Sequence, residues 1–222
     1  MIIYETLPDY EFPKAKDVSD LEVVREYVGD PSAGGNYLDL GANDGITGSL
    51  TRWLAEAGWH GICIEGSWQA FPKLVQVYRH FPNVRLIHAV VGRETEIRPW
   101  YEVPGASSLC TTSIRLAKRG HGREKAIEAE VACVAFDALC GDFYDRIELA
   151  VVDLEDSTIE VLRSVLRHFR PRVVCAEYFP RHVFGENEPE EIGNILRSYN
   201  YTGLVMTDEN IIARKSNDSR DR

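Results

Sequence analysis

Asp39, Gly41, Gly45 and Glu65 are the residues of this 222-residue chain whose types and spacing most clearly prescribe a chemistry. In Leu38-Asp-Leu-Gly-Ala-Asn-Asp-Gly45 an acid stands two positions before the first glycine, and the second glycine comes four positions later. Glycines so placed let a backbone turn sharply and approach a ligand without a Cβ in the way. The dinucleotide fingerprint G-x-G-x-x-G has a different spacing and no such acid, and a pyrophosphate would be repelled by Asp39. A cofactor with a cationic amino-acid tail would be attracted to it. Glu65 lies about 20 residues past the glycine turn, where an acid can accept hydrogen bonds from both ribose hydroxyls. The pair favours S-adenosylmethionine over NAD. The expected cofactor-binding set is Asp39, Gly41, Ala42, Asn43, Gly45, Thr47, Glu65, Gly66, Ala89 and Asp153.

A second constellation is Asp153, Glu155 and Glu177. Methyl transfer from a sulfonium is an in-line displacement, so a protein must align the nucleophile and, for a hydroxyl, take its proton. Asp153 and Glu155 share a side if their strand continues, and either can be that base. His182, in Tyr178-Phe-Pro-Arg-His182, is the reserve base. Together with Glu177 the two acids offer an alternative oxygen-ligand set for a divalent cation, a reading not favoured over the metal-free one. His88 falls in a strand pattern and is expected to be a satisfied core histidine. Arg115, Lys118, Arg119, His121, Arg123 and Lys125 form a basic run that is either a solvated helix face or a recruiter of an anionic acceptor. Residues 105–108 are either a lid hinge or a plain loop.

These groups need elements to hold them. From Asn36 onward short apolar runs alternate with amphipathic segments, the rhythm of β-α units and a mostly parallel sheet. Residues 37–40 make the first strand, ending in the glycine turn directly before a helix with Leu50, Trp53, Leu54 and Ala57 on one face, closed by Gly58. Residues 61–65 and 84–91 make strands two and three, with Phe71, Leu74, Val75 and Tyr78 forming a helix face between them. The alternating run 128–136 is expected to pair with residues 98–101 as a hairpin-like insertion. Residues 149–153 and 173–176 make strands four and five. Between them a capping box, Ser157 to Glu160, opens a helix burying Ile159, Leu162, Val165, Leu166 and Phe169. Residues 201–206 and 211–213 close the sheet as an antiparallel pair. Ligands of such open α/β sheets bind at the carboxyl ends of the strands, where both acidic constellations fall.

Length suits one domain over residues 1–214 with a polar, frayed tail at 215–222. A formal net charge of -10 argues against nucleic acid as a partner. No apolar run approaches the roughly 20 residues of a membrane span. The acids and prolines of residues 1–20 do not suit a signal peptide, so a cytoplasmic location is expected. Five cysteines lack metal-finger or C-x-x-C spacing and read as reduced thiols, with Cys63 and Cys175 buried. Oligomeric state is left open.

The segments Tyr37-Leu-Asp-Leu-Gly-Ala-Asn-Asp-Gly45, Gly58-Trp-His-Gly-Ile-Cys-Ile-Glu65 with Phe71 and Leu74, Phe136-Asp-Ala-Leu139, Asp153-Leu-Glu155 and Val161-Leu162 together resemble the FkbM family of methyltransferases. The resemblance covers most of the chain. It implies the class I fold: a doubly wound, mostly parallel, seven-stranded Rossmann-like α/β sheet with an antiparallel closing strand. It also implies S-adenosylmethionine-dependent O-methylation of a sugar, glycoconjugate or natural product, a small-molecule or glycan acceptor. The chain departs from the family pattern D-x-E-G-x-E at Asp156 and Thr158, has Val151 where lysine is frequent, and has Gly66 where proline is frequent. Those departures keep a catalytically silent cofactor binder as an alternative; an NAD-dependent oxidoreductase is the third reading.

Overall fold

A computed structural model describes residues 3–6, 13–16, 18–103, 106–111, 126–179 and 187–215. Its strands are β1 Ile3–Thr6, β2 Pro13–Lys16, β3 Asn36–Leu40, β4 His60–Glu65, β5 Val84–His88, β6 Val90–Gly92, β7 Glu96–Val103, β8 Ala106–Thr111, β9 Ile127–Ala135, β10 Leu149–Val152, β11 Val173–Glu177, β12 Tyr201–Met206 and β13 Asn210–Lys215. Its helices are α1 Asp20–Val28, α2 Arg52–Glu56, α3 Phe71–Tyr78, α4 Phe136–Leu139, α5 Thr158–His168 and α6 Glu188–Ser198.

The main sheet runs β1-β2-β12-β13-β11-β10-β3-β4-β5. Its seven strands from β12 to β5 are the doubly wound sheet expected from the sequence, with β13 antiparallel to both neighbours and β11, β10, β3, β4 and β5 parallel. The β1–β2 hairpin, unforeseen, extends the edge through a pairing of Lys14 with Met206. Alternation along the strands divides the core. Leu38, Leu40, Ile62, Ile64, Ala150, Val152, Val174 and Ala176 pack against α5 and α6 residues such as Leu162, Leu166 and Ile192. Tyr37, Cys63, Leu149, Val151, Val173 and Cys175 pack against Val23 and Tyr27 of α1, Leu54 of α2 and Leu74 of α3. Both sheet faces are thus covered, as parallel sheets require. Among the described residues Cys63, Cys133, Cys140 and Cys175 are buried free thiols, and no helix is long and apolar enough to cross a membrane.

The run 84–91 is not one strand. The main sheet keeps β5, while β6 leaves at Ala89 and pairs with β9 in a second sheet ordered β6-β9-β7-β8. The predicted pairing of 98–101 with 128–136 is present in the antiparallel ladder of β7 and β9, with Arg98 opposite Val131 and Tyr101 opposite Glu128. Its limit is Ala135, because Phe136 opens α4. Residues 106–108 lie in β8 rather than a hinge loop. The basic run 115–125 lies outside the described residues.

Helix ends depart from the sequence reading in an instructive way. Ser157 precedes α5 but makes no capping bond, because a 3-10 turn at Glu155–Ser157 already holds it in helical geometry (ψ -1°). Thr158 Oγ1 instead accepts the Leu154 N–H at 3.0 Å. The true capping box is at Ser19, extended at ψ 153°, whose side chain accepts from Glu22 N while Glu22 accepts from Ser19 N. At the other end of α1, Arg172 donates to the carbonyls of Tyr27 and Val28 at 3.0 and 2.7 Å, tying α1 to the sheet. Val75 is exposed rather than part of the buried face of α3. Lys215 belongs to β13 rather than to a frayed tail.

Candidate functional site

Strand register brings the acids together. Leu40 pairs with Ile64 on one side and Val152 on the other, and Val152 pairs with Ala176. One residue further, Glu65, Gly41, Asp153 and Glu177 therefore occupy one row across the carboxyl tips of β4, β3, β10 and β11. By the two-residue side-chain period this row shares the face of Asp39, two residues back on β3. Gly41 occupies the only position of the row with no side chain. Its φ is +87°, and a Cβ there would lie 1.7 Å from the Asp153 carbonyl oxygen. The Asp153 N–H reaches back to Leu40 O at 2.9 Å, and Gly41 N and Ala42 N donate to Ile64 O at 2.9 and 3.1 Å.

The glycine turn does not lead directly into a helix, as the sequence reading expected: α2 begins only at Arg52 and is five residues long. Residues 41–51 are a shaped loop. Asn43 takes φ +49° and Gly45 φ +75°, and a Cβ on Gly45 would strike Tyr78 and Leu74 of α3. Asp44 Oδ1 accepts from Ile46 N and Thr47 N at 2.8 and 2.7 Å. Thr47 is exposed and gives its hydroxyl to Asp44 as well, so it does not join the row. The N–H groups facing the site belong to the loop, not to a helix N-terminus.

Two carboxylates are held by fixed donors. Asp39, 5% exposed, accepts the Thr51 hydroxyl at 2.6 Å. Burial still raises it to about 6, the Thr51 bond opposing and Asp153 adding repulsion. Glu65, 7% exposed, accepts Ser67 N at 2.6 Å on one oxygen and Asn43 N at 2.7 Å on the other. Burial lifts it to about 7 against those two bonds. Gly66 and Ala89 flank it: Ala89 N donates to Glu65 O at 3.1 Å, and a Cβ on Gly66 would lie 2.8 Å from Val90 Cγ2.

Asp153, Glu155 and Glu177 meet differently. Strand β10 stops at Val152, so Asp153 and Glu155 are not strand neighbours; Glu155 sits in the 3-10 turn at φ +54°. Asp153 is exposed at its surface but closely surrounded by protein. Burial raises it, opposed by a hydrogen bond with Glu177, with Glu209 and Asp20 adding repulsion. Glu177 and Glu155 are pushed well above the carboxylate range by burial and then by Asp153. These three side chains do not amount to the cation site considered from the sequence: among the described residues no group of three or more His, Cys, Asp or Glu is placed to hold a metal ion. His182 lies outside the described residues. His88 is exposed rather than a core residue; it stacks on Phe71 at 4.5 Å and lies 3.2 Å from Gly66 O.

The family-pattern departures are absorbed locally. The left-handed residue is Glu155, not Asp156, so an aspartate at 156 meets no such backbone strain. Thr51, Ser67 and Glu102 were missed in the sequence. Glu102 was the most findable, as an acid on the same face of an alternating strand as Trp100.

Hydroxyl and ammonium donors suit the accepting capacity left on Glu65 and Asp39, and Asn43 Oδ1 is buried with no protein partner. These residues fit S-adenosylmethionine, whose ribose would lie toward Glu65 and whose amino-acid tail toward Asp39.

A family model described as Methyltransferase FkbM domain matches residues 39–202. No curated protein matches the sequence. Among solved structures, the methyltransferase FkbM from Methylobacillus flagellatus KT superposes with a TM-score of 0.52 at 13% identity, covering 88% of this chain and 50% of that one. The METTL16 MTase domain superposes with a TM-score of 0.50 at 11% identity, covering 88% of this chain and 65% of that one. At such identities the likeness is one of fold, and this chain spans half to two-thirds of those proteins' lengths.

Proposed function

The chain belongs to the FkbM methyltransferase family, and from that premise we propose that it transfers a methyl group from S-adenosylmethionine to a hydroxyl of a sugar, glycoconjugate or small natural product. The observation that carries this reading is the row Glu65, Gly41, Asp153 and Glu177 across adjacent strand tips, with Asp39 beneath it on the same face. Bound S-adenosylmethionine supplies an electrophilic methyl carbon on a sulfonium. Glu65 and Asp39 hold its sugar and its ammonium. On the other side of Gly41, Asp153 is the base for the acceptor hydroxyl: its raised affinity for protons brings it nearer neutral pH, where a general base works best. Burial keeps that affinity high, with Glu209 and Asp20 adding repulsion against the opposing hydrogen bond of Glu177. So many carboxylates on the acceptor side favour a neutral polyhydroxyl over an anionic acceptor.

Labelled methyl transfer onto a panel of glycans and metabolites tests the reading. On an acceptor that works, Asp153→Asn lowers kcat by about a hundredfold, and Glu155→Gln has a smaller effect. Full turnover in both variants would remove the proposed base.

A further inference from the structure

Glu102 is fully buried, yet it lies outside the main sheet, on β7 of the second one. Buried acids are held by partners, and Glu102 Oε1 accepts the hydroxyl hydrogen of Ser67 in the turn after β4. A serine has one such hydrogen, and the Ser67 oxygen is itself occupied by Gln69 N at 3.1 Å and Ala70 N at 3.0 Å. The side chain of Ser67 is therefore pinned on three sides. Its own N–H is left aimed at Glu65 Oε1, at 2.6 Å. Glu65 Oε2 in turn takes Asn43 N at 2.7 Å. A continuous chain of hydrogen bonds thus runs from the second sheet through Ser67 and Glu65 into the glycine turn. Packing follows the same route: a Cβ on Gly66 would lie 3.3 Å from Trp100 Cη2, two residues from Glu102 on β7.

We propose that Glu102 is a positioning residue of the cofactor site, orienting the Glu65 carboxylate for the ribose hydroxyls through Ser67. The ribose rests on the S-adenosylmethionine reading above; the clasp on Glu65 does not. The inserted sheet thereby acquires a role, because β7 braces the turn that carries the ribose-side acid. The charged groups facing Glu65 are Asp39 on β3 and Asp153 after β10. His88, its register partner on β5, is turned to the Gly66 carbonyl, and Glu102 acts from β7 through Ser67.

The test follows the Glu65 carboxyl by carbon-13 NMR in the ligand-free protein, with S-adenosylhomocysteine affinity measured alongside by calorimetry. The variants are Ser67→Ala, Glu102→Leu and Glu102→Gln. Glu65 titrates at about 7 in the unaltered chain. The Ser67 N–H bond favours the ionised form, so loosening it moves the midpoint upward, by about half a pH unit in Ser67→Ala and Glu102→Leu. Affinity in these two falls about tenfold. Glu102→Gln keeps an accepting oxygen and restores both readouts. An unmoved midpoint in Ser67→Ala overturns the proposal even if Glu102→Leu does not fold; so does a Glu102→Gln protein as impaired as Glu102→Leu. If the midpoint moves as stated but the unaltered chain binds no S-adenosylhomocysteine, the clasp stands and the cofactor reading fails.

Discussion

The two sides of Gly41 hold carboxylates of similar number under opposite conditions. On the β4 and β3 side, Glu65 and Asp39 are each met by fixed donors: two backbone N–H groups for one, a buried threonine hydroxyl for the other. On the β10 and β11 side, burial drives Asp153, Glu155 and Glu177 toward their protonated forms, Asp153 repelling the other two and itself repelled by Glu209 and Asp20. The first arrangement is pre-organised for ligand donors and costs little to fill. The second is under charge stress, relieved by a proton and so suited to accepting one.

Breaking the boundary between the two sides has the largest expected effect. Gly41→Ala places a Cβ against the Asp153 carbonyl at a left-handed φ, which costs about 3 kcal/mol or more. Thermal unfolding checks this, and the same variant loses cofactor affinity because the row cannot stay in line.

In pH the two sides act in the same direction, since all five carboxyls are raised. Asp39 and Glu65 titrate at about 6 and about 7 in the folded chain, above their unfolded values. Between about pH 4 and 7 the native state therefore binds more protons, and unfolding free energy falls as pH rises, by about 2 kcal/mol for Asp39 alone. Groups held low, such as Asp44 and Asp137, give up their contribution only as pH falls through their depressed values and do not offset this above pH 5. The ligand-free protein is expected to melt at a higher temperature at pH 5 than at pH 8. Glu177→Gln should narrow that gap by raising the melting temperature at pH 8. A melting temperature that climbs from pH 5 to pH 8 would contradict the charge-stressed picture.

The two sides also differed in how far they could be read from the sequence. Asp39, Gly41 and Glu65 are bound by local rules: a strand's alternation, a turn that tolerates no Cβ, an acid at a strand's end. Asp153 and Glu177 share the row through the same alternation. What was not legible depended on distant partners. Residues 84–91 are largely apolar from end to end, and only pairing with β9 decides that the strand breaks at Ala89. Ser19-Asp-Leu-Glu22 and Ser157-Thr-Ile-Glu160 share the S-x-x-E spacing, yet only the first caps a helix, because a preceding 3-10 turn bends Ser157 out of the extended geometry a cap needs. Glu102 stands out as an acid in an alternating strand, but the partner that explains its burial, a serine 35 positions away, was not legible.

The smallest effect sharpens the donor side alone. Thr51→Val keeps shape and removes the hydroxyl from Asp39. Thr51 makes no capping bond to α2, so the helix is untouched. A loss of about 1 kcal/mol in stability is expected, with the pH dependence of S-adenosylhomocysteine binding shifted upward; an unshifted profile would show that Asp39 does not meet the cofactor.

The most direct test of the account is calorimetric titration of S-adenosylhomocysteine and NAD into the unaltered chain and into an Asp39→Asn, Glu65→Gln double variant at pH 8. The account predicts that the chain binds the nucleoside sulfide and not NAD, and that the double variant loses binding by about a hundredfold or more. Undiminished binding by the double variant, or binding of NAD alone, would contradict it.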